Sequence, residues 1–120
     1  MKTILSTFAI GLLAFFLSVS LYADDLQHKA EAIEHAEEAV KHGKMGHAKE
    51  LLQHAKESLV HAKAASEAGA DAHMDQAIKD LEEAIKHAEM DHAEEATKYT
   101  EGALQHMEQS GVRSIHTDTD

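Results

Sequence analysis

The chain has 120 residues, a formal net charge of −11, and no Cys, Pro or Trp. The missing cysteines exclude disulfides, thiolate metal ligands and a lipid-modified cysteine anchor. The acidic balance disfavours nucleic acid and anionic lipid as partners and favours cations.

The first element is an apolar run. Lys2 supplies a positive start, Ile4 to Leu21 is almost wholly apolar, and Ala23 precedes Asp24 and Asp25. This is the pattern of a secretion signal, residues 1–23, cut between Ala23 and Asp24. The alternative is a membrane anchor at the short end of spanning length, but no charged stop-transfer cluster follows it. The mature chain would then carry 22 acids against ten bases, a formal net charge of −12. It would reside in the periplasm if the source is Gram-negative, with no stable membrane association. Phe8, Phe15 and Phe16 all fall in the signal. The mature core must therefore be built from Ala, Leu, Ile, Val and Met, and its stability should be modest.

The remainder favours helix, being rich in Ala, Glu, Lys, Gln and Leu. Gly43-Lys44-Met45-Gly46 breaks the first run, and Ser66-Glu67-Ala68-Gly69 breaks the second. Asp71 is an expected N-cap, and Asp91 followed by Glu94 resembles a capping box that starts the last helix. The expected helices lie at about 25–43, 47–67, 72–89 and 92–109. A polar tail, residues 110–120, would follow the bundle at 24–109. A shift of 45 residues superimposes the two halves, with 14 of 34 pairs identical across positions 28–61. The predicted fold is all-α, an up-down-up-down four-helix bundle made of a duplicated helical hairpin. Its apolar face is expected from the heptad residues Leu26, Ile33 and Val40, then Met45, Leu52 and Leu59, then Ile78 and Ile85. Alanines widen this stripe, and the methionines of the mature chain read as packing residues.

The histidines carry the chemistry. The first helix reads His28, Glu31, His35, Glu38, His42, and the second His47, Glu50, His54, Glu57, His61. Steps of three and four keep each set on one helical stripe. The third helix keeps His73, Gln76, Asp80, Glu83 and His87, and the fourth His92, Glu95, Tyr99, Gly102 and His106. The large apolar position two before each His lies about 160° from it, and the alanine positions about 60° and 100° away. The apolar face is then centred roughly 100° from the histidines, so the His stripe flanks the core.

In an antiparallel hairpin, matching flanks either converge on one groove or diverge. Convergence would set His42 against His47, His35 against His54 and His28 against His61. In the second half it would pair His87 with His92 and His73 with His106. Divergence would turn the second helix's stripe toward the third helix. The sequence leaves both arrangements open.

Imidazole and carboxylate together suit Cu(II), Ni(II), Zn(II) and Co(II), with Cu(II) favoured by the Irving–Williams order. The expected metal ligands are His28, His35, His42, His47, His54, His61, His73, His87, His92 and His106. His116, in the tail, is at most an adventitious contributor. No haem-attachment motif, His-Glu-x-x-His helix, nucleophile–base arrangement or phosphate loop is present, so a non-enzymatic protein is expected. A second reading, from a different class, is a periplasmic helical interaction protein whose histidines sense pH.

The segments His35 to His42 (HAEEAVKH), His54 to Gly69 (HAKESLVHAKAASEAG) and Asp80 to His87 (DLEEAIKH) resemble the small metal-binding proteins of ammonia-oxidising bacteria. The resemblance covers most of the mature chain. It implies a periplasmic, monomeric, all-helical protein that binds copper and other divalent metals, with a role in metal scavenging or tolerance.

Overall fold

The computed structural model describes residues 26–111, and the expected secretion signal and His116 lie outside them. Four helices follow one another: α1 (26–44), α2 (Ala48–Glu67), α3 (Ala72–Glu89) and α4 (Ala93–Gln109). No strand occurs among the described residues. None of their helices is long and apolar enough to cross a membrane.

Each helix packs on the next, and α4 returns to α1. Ser58 Oγ, buried in α2, donates to the Ala32 carbonyl of α1 at 2.7 Å. Ser66 Oγ at the end of α2 donates to Asp75 Oδ1 at the start of α3, also at 2.7 Å. Lys44 on α1 reaches Glu101 on α4 at 3.5 Å. The bundle has the expected up-down-up-down course.

The two intra-hairpin turns are copies of each other. Gly46 N–H bonds the Gly43 carbonyl and His47 N–H bonds the His42 carbonyl, both at 2.9 Å. Asp91 N–H bonds Ala88 at 3.0 Å and His92 N–H bonds His87 at 2.9 Å. This is the Schellman pattern, which requires a left-handed residue just past the helix end. Gly46 fills that place with φ 78°, and Asp91 fills its counterpart with φ 63°.

Asp91 is therefore not the N-cap of α4. That position belongs to His92, whose side chain makes no capping bond. The capping-box spacing was a local signal, and the hairpin turn overrode it. A Cβ in left-handed backbone is strained, and glycine removes that strain. Asp91→Gly should raise the unfolding free energy by about 1 kcal/mol, and Gly46→Ala should lower it by about as much. Urea midpoints of the two variants check both.

Asp71 caps α3 as expected, accepting from the His73 N–H at 3.2 Å. Burial opposes its charge. Hydrogen bonds from the Ser110 side chain and from the Met74 and His73 N–H groups outweigh that, and hold the carboxyl below its usual range. Ser110 closes the bundle at this end. It is buried, its N–H bonds the His106 carbonyl at 2.9 Å, and its own carbonyl accepts from Lys29 Nζ. Asp71→Ala should cost about 1 kcal/mol near neutral pH. A carboxyl with a lowered folded pKa contributes its stability above the unfolded value, about 3.9, and loses it as pH falls through the folded one. The gap between wild type and variant in urea should therefore close below about pH 4.

The core is mainly alanine. Ala32, Ala36, Ala39, Ala55, Ala62, Ala77, Ala84, Ala96 and Ala103 are fully buried, joined by Leu51, Leu81, Met74 and Met107. Ile33, Leu52, Leu59, Ile78, Ile85 and Leu104 only partly bury and pack against this centre. Leu26 and Met45, expected in the apolar face, are exposed, as is Met90. The core thus centres nearer the histidines than the heptad residues indicate, about 80° from them. The reason is size. Alanine lets helix axes approach to about 8 Å, and larger side chains move to the flank away from the histidines. Polar residues in the core satisfy themselves. Thr97 and Thr100 bond the Ala93 and Ala96 carbonyls one turn back, at 2.6 and 2.7 Å.

Candidate metal site

The hairpin turn sets the register of the histidines. Its bond from His47 N–H to the His42 carbonyl fixes one residue on each helix. Helical steps of three and four then carry the pairing down both helices. In a Schellman turn these two positions usually hold an apolar contact. Here they hold two imidazoles, with ring centres 5.8 Å apart.

The stripes of α1 and α2 converge. His35 and His54 ring centres are 5.7 Å apart, and those of His28 and His61 are 5.4 Å apart. The rungs are also joined diagonally, His42 to His54 at 5.5 Å and His35 to His61 at 5.7 Å. Six imidazoles therefore form one zigzag: His47, His42, His54, His35, His61, His28. Carboxylates line its rim. Glu31 Oε2 lies 3.1 Å from His61 Nε2, and Glu57 Oε2 lies 3.6 Å from His35 Nε2. The rings are half-buried except His47 at the turn, which is exposed.

The donor spacing fits a metal ion. Two nitrogens bound tetrahedrally at about 2.1 Å stand about 3.4 Å apart. The Nδ1 atoms of His28 and His61 are separated by 3.2 Å, and those of His35 and His54 by 3.5 Å. Two groups bring three donors within 4.8 Å of one another: His35, His54 and Glu57, and Glu38, His42 and His54. His54 belongs to both. Glu38 is held charged by the hydrogen bond and the charge of Lys41, which lower its pKa.

The α3/α4 groove is a thinner copy. His73 pairs with His106 at 5.9 Å between ring centres, and His87 with His92 at 6.0 Å. The middle rungs have changed. Tyr99 stands where His54 does in the first hairpin and stacks on His87 at 5.3 Å. Asp80 replaces His35, with Oδ2 at 3.8 Å from His106 Nε2. Gly102 replaces Glu57, and a Cβ there would come within 3.3 Å of Asp80 Oδ2. Glycine thus leaves the room that the Asp80 carboxylate occupies. Among the described residues, groups of three donors occur in the first groove and not in the second.

The family model of the small metal-binding proteins matches residues 1–110. The chain belongs to the small metal-binding protein family. No curated protein matches it. In this small metal-binding protein the ten histidines of the described residues fall into one ladder of six and two separate pairs. All ten are where a convergent hairpin puts them. Pairwise rungs alone do not predict the diagonal contacts, His42 to His54 and His35 to His61. These contacts make the first groove continuous, so that a donor group can draw on more than one rung.

Proposed function

We propose that this small metal-binding protein is an exported, non-catalytic, monomeric binder of several divalent transition-metal ions. It acts in the periplasm as a scavenger or buffer, with Cu(II) preferred over Ni(II), Zn(II) and Co(II). The observation that carries this reading is the α1/α2 groove, with six imidazoles in one row and two three-donor groups. Family membership and the acidic net charge support it. Residues 1–23, with the pattern of a secretion signal, support export.

None of the six imidazoles in the groove is fully buried. Such sites select metals by intrinsic affinity, which places Cu(II) first. Their ligands must be deprotonated, so acid should release the ions. The first hairpin should fill before the second, because among the described residues three donors converge in the first and not in the second. Calorimetric titration of residues 24–120 with Cu(II), Ni(II) and Zn(II) should show more than one ion per chain, in that order of affinity. Uptake of at most one ion near neutral pH would sink the proposal.

A further inference from the structure

Two of the four described methionines are not core residues. Met74 and Met107 are fully buried, whereas Met45 is 52% and Met90 50% exposed. Met45 and Met90 occupy the same place in the two hairpin turns, immediately before the left-handed residue. Between the flanking histidines the other three positions have diverged: Gly43 against Ala88, Lys44 against Glu89, Gly46 against Asp91. The methionine and the two flanking histidines are kept in both copies. Leu26, Val60 and Tyr99 are exposed as well, but of these exposed residues the methionines alone recur at the same place in both hairpins.

A second observation points the same way. Among the described residues three buried side-chain nitrogens have no hydrogen-bond partner: His42 Nδ1 and His87 Nδ1, one at each turn, and His106 Nδ1 beside His73. Orphaned buried polar atoms are rare, and a missing ion is one standard cause. Each of the two turn nitrogens sits in a ring paired with an exposed imidazole, that of His47 or His92. Each lies three residues before a flexible thioether. Thioether sulfur is a soft donor and selects Cu(I) over divalent ions.

We propose that each hairpin turn is a capture site for a soft monovalent ion, Cu(I) or Ag(I). One is built from His42, Met45 and His47, the other from His87, Met90 and His92. The proposal extends the metal-binding reading to a second class of ion and a second kind of donor. The second turn is the cleaner case. His42 can also join Glu38 and His54, whereas Tyr99 removes that alternative from His87.

The test uses Ag(I), a diamagnetic and air-stable probe, on the full mature chain carrying ¹³C-methyl methionine. The Met45 and Met90 methyl resonances should move as Ag(I) is added, while those of Met74 and Met107 stay. A Met45→Leu/Met90→Leu variant keeps shape at two surface positions. It should lose Ag(I) affinity by about tenfold or more while Ni(II) affinity is unchanged. Silent Met45 and Met90 methyls, or Ag(I) affinity equal to wild type in the variant, overturn the proposal. Ni(II) titration of the same sample separates the two readings. Retained Ni(II) binding with silent methyls removes the turn sites alone, and loss of both removes the proposed function as well.

Discussion

Replacing His54 with alanine is expected to weaken divalent-metal binding more than replacing any other single histidine. His54 is the member common to both three-donor groups, so one substitution reduces each to two donors. Changing only an outer partner of a ligand typically costs about 10–100-fold in affinity, and loss of a ligand should exceed that. His73→Ala is the matched control. Its ring pairs with His106 alone and belongs to no three-donor group. Calorimetry with Ni(II) should show the strongest site lost in His54→Ala and kept in His73→Ala. Equal losses in the two variants would mean that the ions bind to isolated rungs and not to the joined groove. Circular dichroism checks that both variants remain helical.

The second large effect should come from a close approach of α1 to α4. Gly43 is buried there, and a Cβ added to it would overlap Thr97 Oγ1. The same atom would lie 2.6 Å from Leu51 Cδ1 and 3.1 Å from Thr97 Cβ. Thr97 cannot easily turn away, since its hydroxyl is bonded to the Ala93 carbonyl. Overpacking with two contacts this close should lie in the upper part of the usual range, about 2–3 kcal/mol. The better helix propensity of alanine returns about 1 kcal/mol of it. Gly43→Ala should therefore destabilise by about 1–2 kcal/mol, lowering Tm by roughly 5–15 °C in a domain of this size. Adding Thr97→Ala removes the nearest overlapping atom, Thr97 Oγ1, and leaves the Leu51 methyl to shift; it should recover part of the loss, giving a clear coupling energy in a double-mutant cycle. Additive effects would place the strain at Leu51 instead.

Much of this architecture is written locally. The 45-residue repeat, the Gly-rich breaks and the steps of three and four between histidines specify four helices and the phase of the stripes. Three features are not local. Which flank of α1 meets α2 depends on the hand of the whole bundle, and no single helix carries that. The centring of the core on alanine is hidden because hydropathy weights Ile33 and Leu52 above Ala36 and Ala55. Helix spacing, which decides what fits between the axes, is a property of pairs. Asp91 misleads for a third reason. Aspartate suits both an N-cap and a left-handed turn, and only the paired bonds to His87 and Ala88 distinguish the two. The substitutions in the second hairpin show the same limit. Asp80 and Tyr99 can be read as lost rungs from sequence. That Gly102 makes space for Asp80 is visible only across the groove.

The alanine core has a mechanical consequence. A methyl group has no rotamers to rearrange, so helices seated on Ala32, Ala36, Ala55 and Ala62 cannot drift apart without opening a gap. The core behaves as a ruler that sets the span across the groove before any ion arrives. An ion bridging α1 and α2 then finds its donors already at bonding span and does not have to bend the backbone. It acts as a removable crosslink on a lightly built frame. At a hundred times its Kd, each such crosslink adds about 2.7 kcal/mol to folding. The empty and loaded forms should therefore share one shape and differ in hardness, the loaded protein melting later and exchanging its amide protons more slowly.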